Sequence, residues 1–168
     1  MGEVTITFLQ MHGAAELRPR LSPDPRFAVR ETVLPQWQLN RFLYSLVGSP
    51  WTWTDKQSWS EEQWQAYVRS DALRTFVAFL EGSIAGYYEL RRDAAQEVEI
   101  VYFGLALEFI GQGLGGALLT DAIQRAWAWE ARRVWVHTCT LDHPAALQNY
   151  QARGMVIYDR QVQVEHVA

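Results

Sequence analysis

Apolar and polar positions change period several times along the chain, and each change marks an element. Val4-Thr5-Ile6-Thr7-Phe8 alternates and predicts a short strand, after which Pro19, Pro23 and Pro25 break any regular run. Phe27-Ala28-Val29-Arg30 predicts a second short strand. Between Pro35 and Val47 the spacing becomes helical, with Leu39, Phe42, Leu43 and Leu46 on one stripe, Pro35 suited to the first turn and Gly48 to the stop. Ser60-Glu61-Glu62-Gln63 has the form of a capping box and opens a second helix. Residues 74–80 and 84–91 are β-rich and joined by Glu81-Gly82, which predicts a hairpin. In the longer run 97–107, simple alternation puts Glu97, Glu99, Val101 and Phe103 on one face and Val98, Ile100 and Tyr102 on the other. A glycine loop at 111–116 then leads into a helix over about 113–131 and a strand at 134–138. A last helix starts near Pro144 and stops at Gly154, and residues 155–164 are β-like. This order, a β meander followed by β-loop-α-β-α-β, predicts a mixed α/β fold with residues 1–168 as one domain.

Composition narrows the class. A chain of 168 residues with 49% hydrophobic and 20% charged residues is long and apolar enough to bury one core. The single cysteine, Cys139, excludes a disulfide scaffold and fits a reducing compartment. No apolar stretch approaches the roughly 18 residues of a spanning helix, and Met1-Gly2-Glu3-Val4 lacks the basic-then-apolar order of a signal peptide. A soluble cytoplasmic domain without membrane attachment is therefore expected. The formal charge of −4 comes without clustered Lys or Arg, so general nucleic-acid binding is not expected. Residues 97–131 account for that whole excess, with Glu97, Glu99, Glu108, Asp121 and Glu130 against Arg125 alone.

Candidate chemistry concentrates around Ile110-Gly111-Gln112-Gly113-Leu114-Gly115-Gly116. Glycines at a strand-to-helix junction let backbone amides and the positive helix end approach a phosphate. The pattern also satisfies the dinucleotide fingerprint, but the next strand ends in Thr138-Cys139-Thr140 without the acidic residue that would hold a ribose. A Walker loop fails because no Gly-Lys-Ser/Thr follows. The acidity of the surrounding segment means that backbone amides must supply most of the attraction, with Arg132, Arg133 or Arg153 as outside help.

The stretch 110–115 resembles the Gln/Arg-x-x-Gly-x-Gly/Ala signature of the GNAT superfamily of acyl-coenzyme A N-acyltransferases, with Ile110 in place of the polar residue. Residues 99–105 resemble the strand that precedes this loop in the family, its fourth. Residues 142–155 are similar to its Asn-Pro-x-Ala…Tyr-x-x-x-Gly-Phe segment, with His143 for Asn and Met155 for Phe. The resemblance covers about residues 74–158. It implies a mostly antiparallel central sheet, splayed between the family's fourth and fifth strands and flanked by about four helices.

The same resemblance implies acetyl-CoA as co-substrate and no metal. The backbone of Leu105, Ala106 and Leu107 would hold the pantetheine arm, with the Leu105 amide polarising the thioester carbonyl, and 110–116, including Gln112 and Gly116, would hold the diphosphate. Tyr150 stands at the position of the family's acid and Glu99 where several members keep a base. Glu89 and Glu97, on or beside the same sheet, are alternatives for the base, as is water, and Glu89 is also counted with the acceptor side. His143 would touch the coenzyme arm.

Other features carry less. Cys139 and His137 read as packing residues after a buried strand, and zinc is not expected because no paired-ligand spacing occurs. Five of the eight tryptophans fall between residues 37 and 64. Trp51-Thr52-Trp53 lies between helices, where an acceptor wall would stand, and Asp55, Glu61 and Glu62 are close in sequence, which suits a small-molecule amine. A homodimer is left open. Two alternatives share the fold: transfer from another acyl carrier, such as a carrier protein or aminoacyl-tRNA, and a non-catalytic coenzyme-binding module.

Overall fold

The computed structural model describes residues 2–165. Seven strands and four α-helices follow the chain as β1 (Gly2–Met11), β2 (Phe27–Glu31), α1 (Trp37–Gly48), α2 (Glu61–Val68), β3 (Leu73–Leu80), β4 (Ser83–Arg92), β5 (Glu97–Leu105), α3 (Leu114–Ala128), β6 (Arg133–Cys139), α4 (Ala146–Ala152) and β7 (Val156–Glu165). The strands form one sheet in the order β2-β3-β4-β5-β6-β1-β7, with every pair antiparallel except β5 and β6. The mixed α/β architecture is the one expected.

Local sequence explains several joints. The α2 capping box forms in full, with the Gln63 amide donating to Ser60 Oγ at 3.2 Å and the Ser60 amide to Gln63 Oε1 at 2.8 Å. Glu81 and Gly82 both take positive φ, 49° and 87°, the twist that a two-residue hairpin link between β3 and β4 requires. One face of the sheet packs under α3 through Leu9, Tyr88, Ile100, Leu118, Ile123 and Val136. The other packs under α1 through Leu43, Val47, Val77 and Tyr87.

Three expectations are corrected. The N-terminal strand does not join the meander: β1 is longer than the Val4–Phe8 alternation and inserts between β6 and β7, hydrogen-bonded on both edges. The crossing segment then returns to the far edge of the sheet, anchored where the Arg18 amide meets Arg153 O at 2.9 Å and the Arg20 amide meets Thr120 Oγ1 at 2.9 Å. In α1 the buried stripe is Asn40, Leu43, Tyr44 and Val47, while Phe42 is exposed and Pro35 lies before the helix. A buried hydrogen bond from Asn40 to Thr75 Oγ1, 2.8 Å, turns the helix this way.

The third correction concerns β5. Glu89 pairs with Tyr102 and Leu90 with Ile100, so Val101 is an extra residue that interrupts the alternation. Beyond this bulge the faces exchange: Phe103 packs with Ile100 on the α3 side, and Tyr102 packs with Tyr87 on the α1 side. Tyr102 therefore joins the face expected for Glu99.

Gly154 ends α4 with φ +103°, and a Cβ there would lie 2.2 Å from Glu16 O in the crossing segment. Gly154→Ala is expected to cost about 2–4 kcal/mol, combining a left-handed backbone with a backbone clash. Urea unfolding of the two proteins checks this; a loss below about 0.5 kcal/mol would mean that the crossing segment yields freely.

Candidate functional site

The parallel ladder between β5 and β6 spans only Glu97–Arg133, Val98–Val134 and Glu99–Trp135. Beyond it the two strands part, and the gap opens into a cavity of about 940 Å³. Six residues of β5 beyond Glu99 extend along this gap, a run of about 20 Å at strand rise, and end near the glycine loop.

At the loop end, Gly111 and Gly113 take φ +85° and +78°, the latter as the residue that caps α3. This αL cap turns the chain so that the unpaired amides of the first α3 turn are available to an anion. Ile110, Gly111, Gly113, Leu114, Gly115 and Gly116 all line the cavity, as does Leu105. Asn149 on α4 braces the loop by donating to Gly115 O at 3.1 Å.

Four expected site residues stand elsewhere. Ala106 is buried and its amide is committed to Ala85 O at 2.8 Å, so it has no donor left for an arm in the gap. Leu107 projects outward from the 3-10 turn Leu107–Phe109 and is 59% exposed. Gln112 turns back to donate to Glu108 O at 3.1 Å and is exposed, away from the wall. Glu89 is 1% exposed beneath α1 and α2, where Asn40 Nδ2 donates to it at 2.8 Å and the Tyr67 hydroxyl also donates. Burial raises its carboxyl above the usual range, and these two hydrogen bonds only partly offset the effect. It is not among the residues that line the cavity.

Tyr150 and Glu99 do reach the cavity wall. Tyr150 packs against Phe103, 6.0 Å between ring centroids, and is 5% exposed. Burial, reinforced by the Asp142 carboxylate, raises its hydroxyl above the ordinary tyrosine value. Asp142 itself is fixed by donors from the Thr138 hydroxyl at 2.6 Å and the Cys139 amide at 2.9 Å. Glu99 Oε2 receives Arg91 Nη2 at 2.7 Å, while Oε1 faces His137 Nε2 at 3.8 Å across the opening gap. His137 thus lines the cavity rather than packing behind it.

The segment after α1 closes the other side. Trp51 meets His143 edge-on at 4.9 Å, bringing together two residues that the sequence separates by most of the chain. Trp53 packs into Tyr44, Tyr87 and Tyr102, with centroids 5.8, 6.5 and 5.1 Å away. Asp55 accepts from the Tyr44 hydroxyl at 2.8 Å and from the Tyr102 hydroxyl. Partial burial works to raise its carboxyl, but these hydroxyls and Lys56 outweigh it and hold the group below its ordinary value. Lys56 sits over Trp59, Tyr67 and Tyr102 at 4.3–5.0 Å. Lys56, Arg91, Asn149 and Arg20 are wall residues without a sequence signal. Among the described residues no group of three or more potential metal ligands occurs.

Residues 37–155 match the model of the acetyltransferase (GNAT) family. The chain belongs to that family. Its fold is shared with solved GNAT structures. A GCN5-related N-acetyltransferase from Sphaerobacter thermophilus superposes with a TM-score of 0.69 at 18% identity, over 96% of this chain and 51% of that one. An aminoglycoside acetyltransferase from an uncultured soil metagenomic sample, in complex with trehalose, gives 0.64 at 20% identity, over 86% of this chain and 96% of that one. A GNAT-family acetyltransferase structure from Novosphingobium aromaticivorans gives 0.62 at 16%, over 96% and 63%. The chain thus spans between half and two thirds of the length of the first and third of these. Among curated proteins no sequence matches. No helix among the described residues is long and apolar enough to cross a membrane. In this GNAT chain the stretch 99–105, which resembles the family's fourth strand, lies in β5, and the strand that parts from it is β6.

Proposed function

We propose that the chain transfers an acetyl group from acetyl-CoA to a primary amine of a small molecule, in the cytoplasm and by direct attack within a ternary complex. The observation that carries this reading is the cavity that joins the glycine loop, the stretch of β5 beyond its ladder with β6, Tyr150 and Glu99. The residues present fit the coenzyme: φ-positive glycines open the loop, and Arg153 Nε and Nη1 are buried there without a hydrogen-bond partner among the described residues. When bound, the coenzyme supplies an activated acyl group as a thioester.

The protein's part is to move protons and to place the amine. Glu99 Oε1, its other oxygen held by Arg91, takes a proton from the acceptor's ammonium and so frees a neutral amine, whose lone pair forms the new carbon–nitrogen bond at the thioester carbonyl. As the carbon–sulfur bond breaks, Tyr150 gives its hydroxyl proton to the departing sulfur. The Leu105 backbone amide is the donor assigned to the thioester oxygen. Asp55, with Trp51 and Trp53 beside it, attracts a cationic acceptor. The likeness to an aminoglycoside acetyltransferase also found in complex with sisomicin, at 19% identity, puts polyamine-like sugars among the acceptors to try first.

A thiol-release assay with acetyl-CoA against amines, amino acids, aminoglycosides and peptides tests the proposal. Acceptor-dependent release of free coenzyme thiol is expected for at least one amine class. Tight acetyl-CoA binding without release for any amine would replace transfer with a coenzyme-binding role.

A further inference from the structure

The segment that crosses from β1 to β2 brings Arg20 to the glycine end of the cavity, where it meets Arg153 from the end of α4. A methyl group added at Gly116 would lie 2.5 Å from Arg153 Nη1 and 2.7 Å from Arg20 Cδ, and one at Gly113 would lie 3.7 Å from Arg20 Nη2. Both arginines line the cavity. Neither has a carboxylate within ion-pair distance among the described residues, whereas Arg91, the third arginine lining the cavity, is paired with Glu99. Burial and the neighbouring charge of Arg20 both press the Arg153 guanidinium below its ordinary value.

Two like charges gathered without an anion are a cost to the folded chain that an incoming anion removes. The place is also one of partial positive charge, because the unpaired amides of α3 begin there. Ile110 offers no polar side chain to this end of the site. We infer that Arg20 and Arg153 form a two-guanidinium clamp for the diphosphate of the acyl donor, supplying the charge that the loop side chains lack. The inference rests on the coenzyme reading above. Arg20 lies outside residues 37–155, so the stretch matched by the family model does not contain this half of the clamp. The fork of each guanidinium suits phosphate oxygens, which makes phosphate a better occupant than a single carboxylate.

Calorimetric titration of the wild-type chain, Arg20→Met, Arg153→Met and Arg153→Lys with acetyl-CoA, 3′-dephospho-acetyl-CoA and inorganic pyrophosphate tests the clamp. Each Met variant is expected to weaken both coenzyme ligands by roughly 10- to 100-fold, with partial rescue in Arg153→Lys and the loss in turnover falling on KM for the donor rather than on kcat. Arg20 is exposed, so its replacement leaves the core intact and decides the matter even if Arg153→Met fails to fold. Unchanged acetyl-CoA affinity in Arg20→Met overturns the clamp. A loss seen with acetyl-CoA but not with the 3′-dephospho ligand overturns the diphosphate assignment in favour of the ribose phosphate. A wild-type chain that ignores acetyl-CoA but binds pyrophosphate through both arginines supports the anion site and overturns the coenzyme reading.

Discussion

Tyr150→Phe is expected to lower kcat by roughly 10²–10⁴ while acetyl-CoA still binds. The substitution removes one oxygen and keeps the ring, so the packing against Phe103 survives and the lost group is the proton donor alone. Its environment suits that role. Burial and the Asp142 carboxylate both disfavour the phenolate, so the hydroxyl stays protonated above the ordinary tyrosine value of about 10. The sign is definite: a raised acid keeps its proton as pH rises, so Tyr150 contributes no falling alkaline limb to kcat below about pH 10. A limb that does fall below that point, and persists in Tyr150→Phe, belongs to another group. Wild-type kcat in the variant would remove Tyr150 from the mechanism and leave it as a core aromatic at the end of the gap.

Signals written in neighbouring residues were legible in the sequence, and signals created by distant pairing were not. The Ser60–Gln63 capping box and the Glu81-Gly82 link are local, each decided by side chains or φ preferences within a few positions, and both form as read. The glycine loop is local too, which is why its place before α3 was plain. The bulge at Val101 is different, because it exists only through the offset of β5 against β4. Strict alternation cannot foresee it, and the misplaced faces of Tyr102 and Phe103 follow from that one residue. The position of β1 depends on two partners more than 120 residues away, and alternation says only that a strand is present, not whom it joins. Arg20 was invisible for the same reason. It lies in a proline-broken stretch, and only the anchoring of that stretch on Arg153 O and Thr120 gives its side chain a site. Ala106 shows the converse limit: a motif can indicate which backbone lies near a ligand, but not which amides another strand end has already taken.

Gly115→Glu is expected to abolish acetyl-CoA binding, a loss of at least about 10²-fold, without unfolding the chain. Gly115 is the second residue of α3, where a carboxylate favours the helix through its dipole and a glycine costs about 1 kcal/mol against alanine. The variant helix should therefore be as stable as the original or more so. A Cβ at this position lies 3.7 Å from Asn149 Nδ2 and 3.9 Å from Leu105 Cδ1, ordinary contacts, and it points between the α4 and β5 walls of the cavity. Gly115→Ala should accordingly fold and bind. The longer glutamate side chain fills the throat between these walls and sets a negative charge beside the amides that the diphosphate would use. Circular dichroism and thermal melting report the fold, and calorimetry reports the ligand. Because the alanine and glutamate variants share the lost glycine and differ in reach and charge, loss in both would point to backbone freedom at 115. Loss in the glutamate variant alone places the ligand in the throat, and wild-type affinity in the glutamate variant would sink the assignment of this loop to the coenzyme.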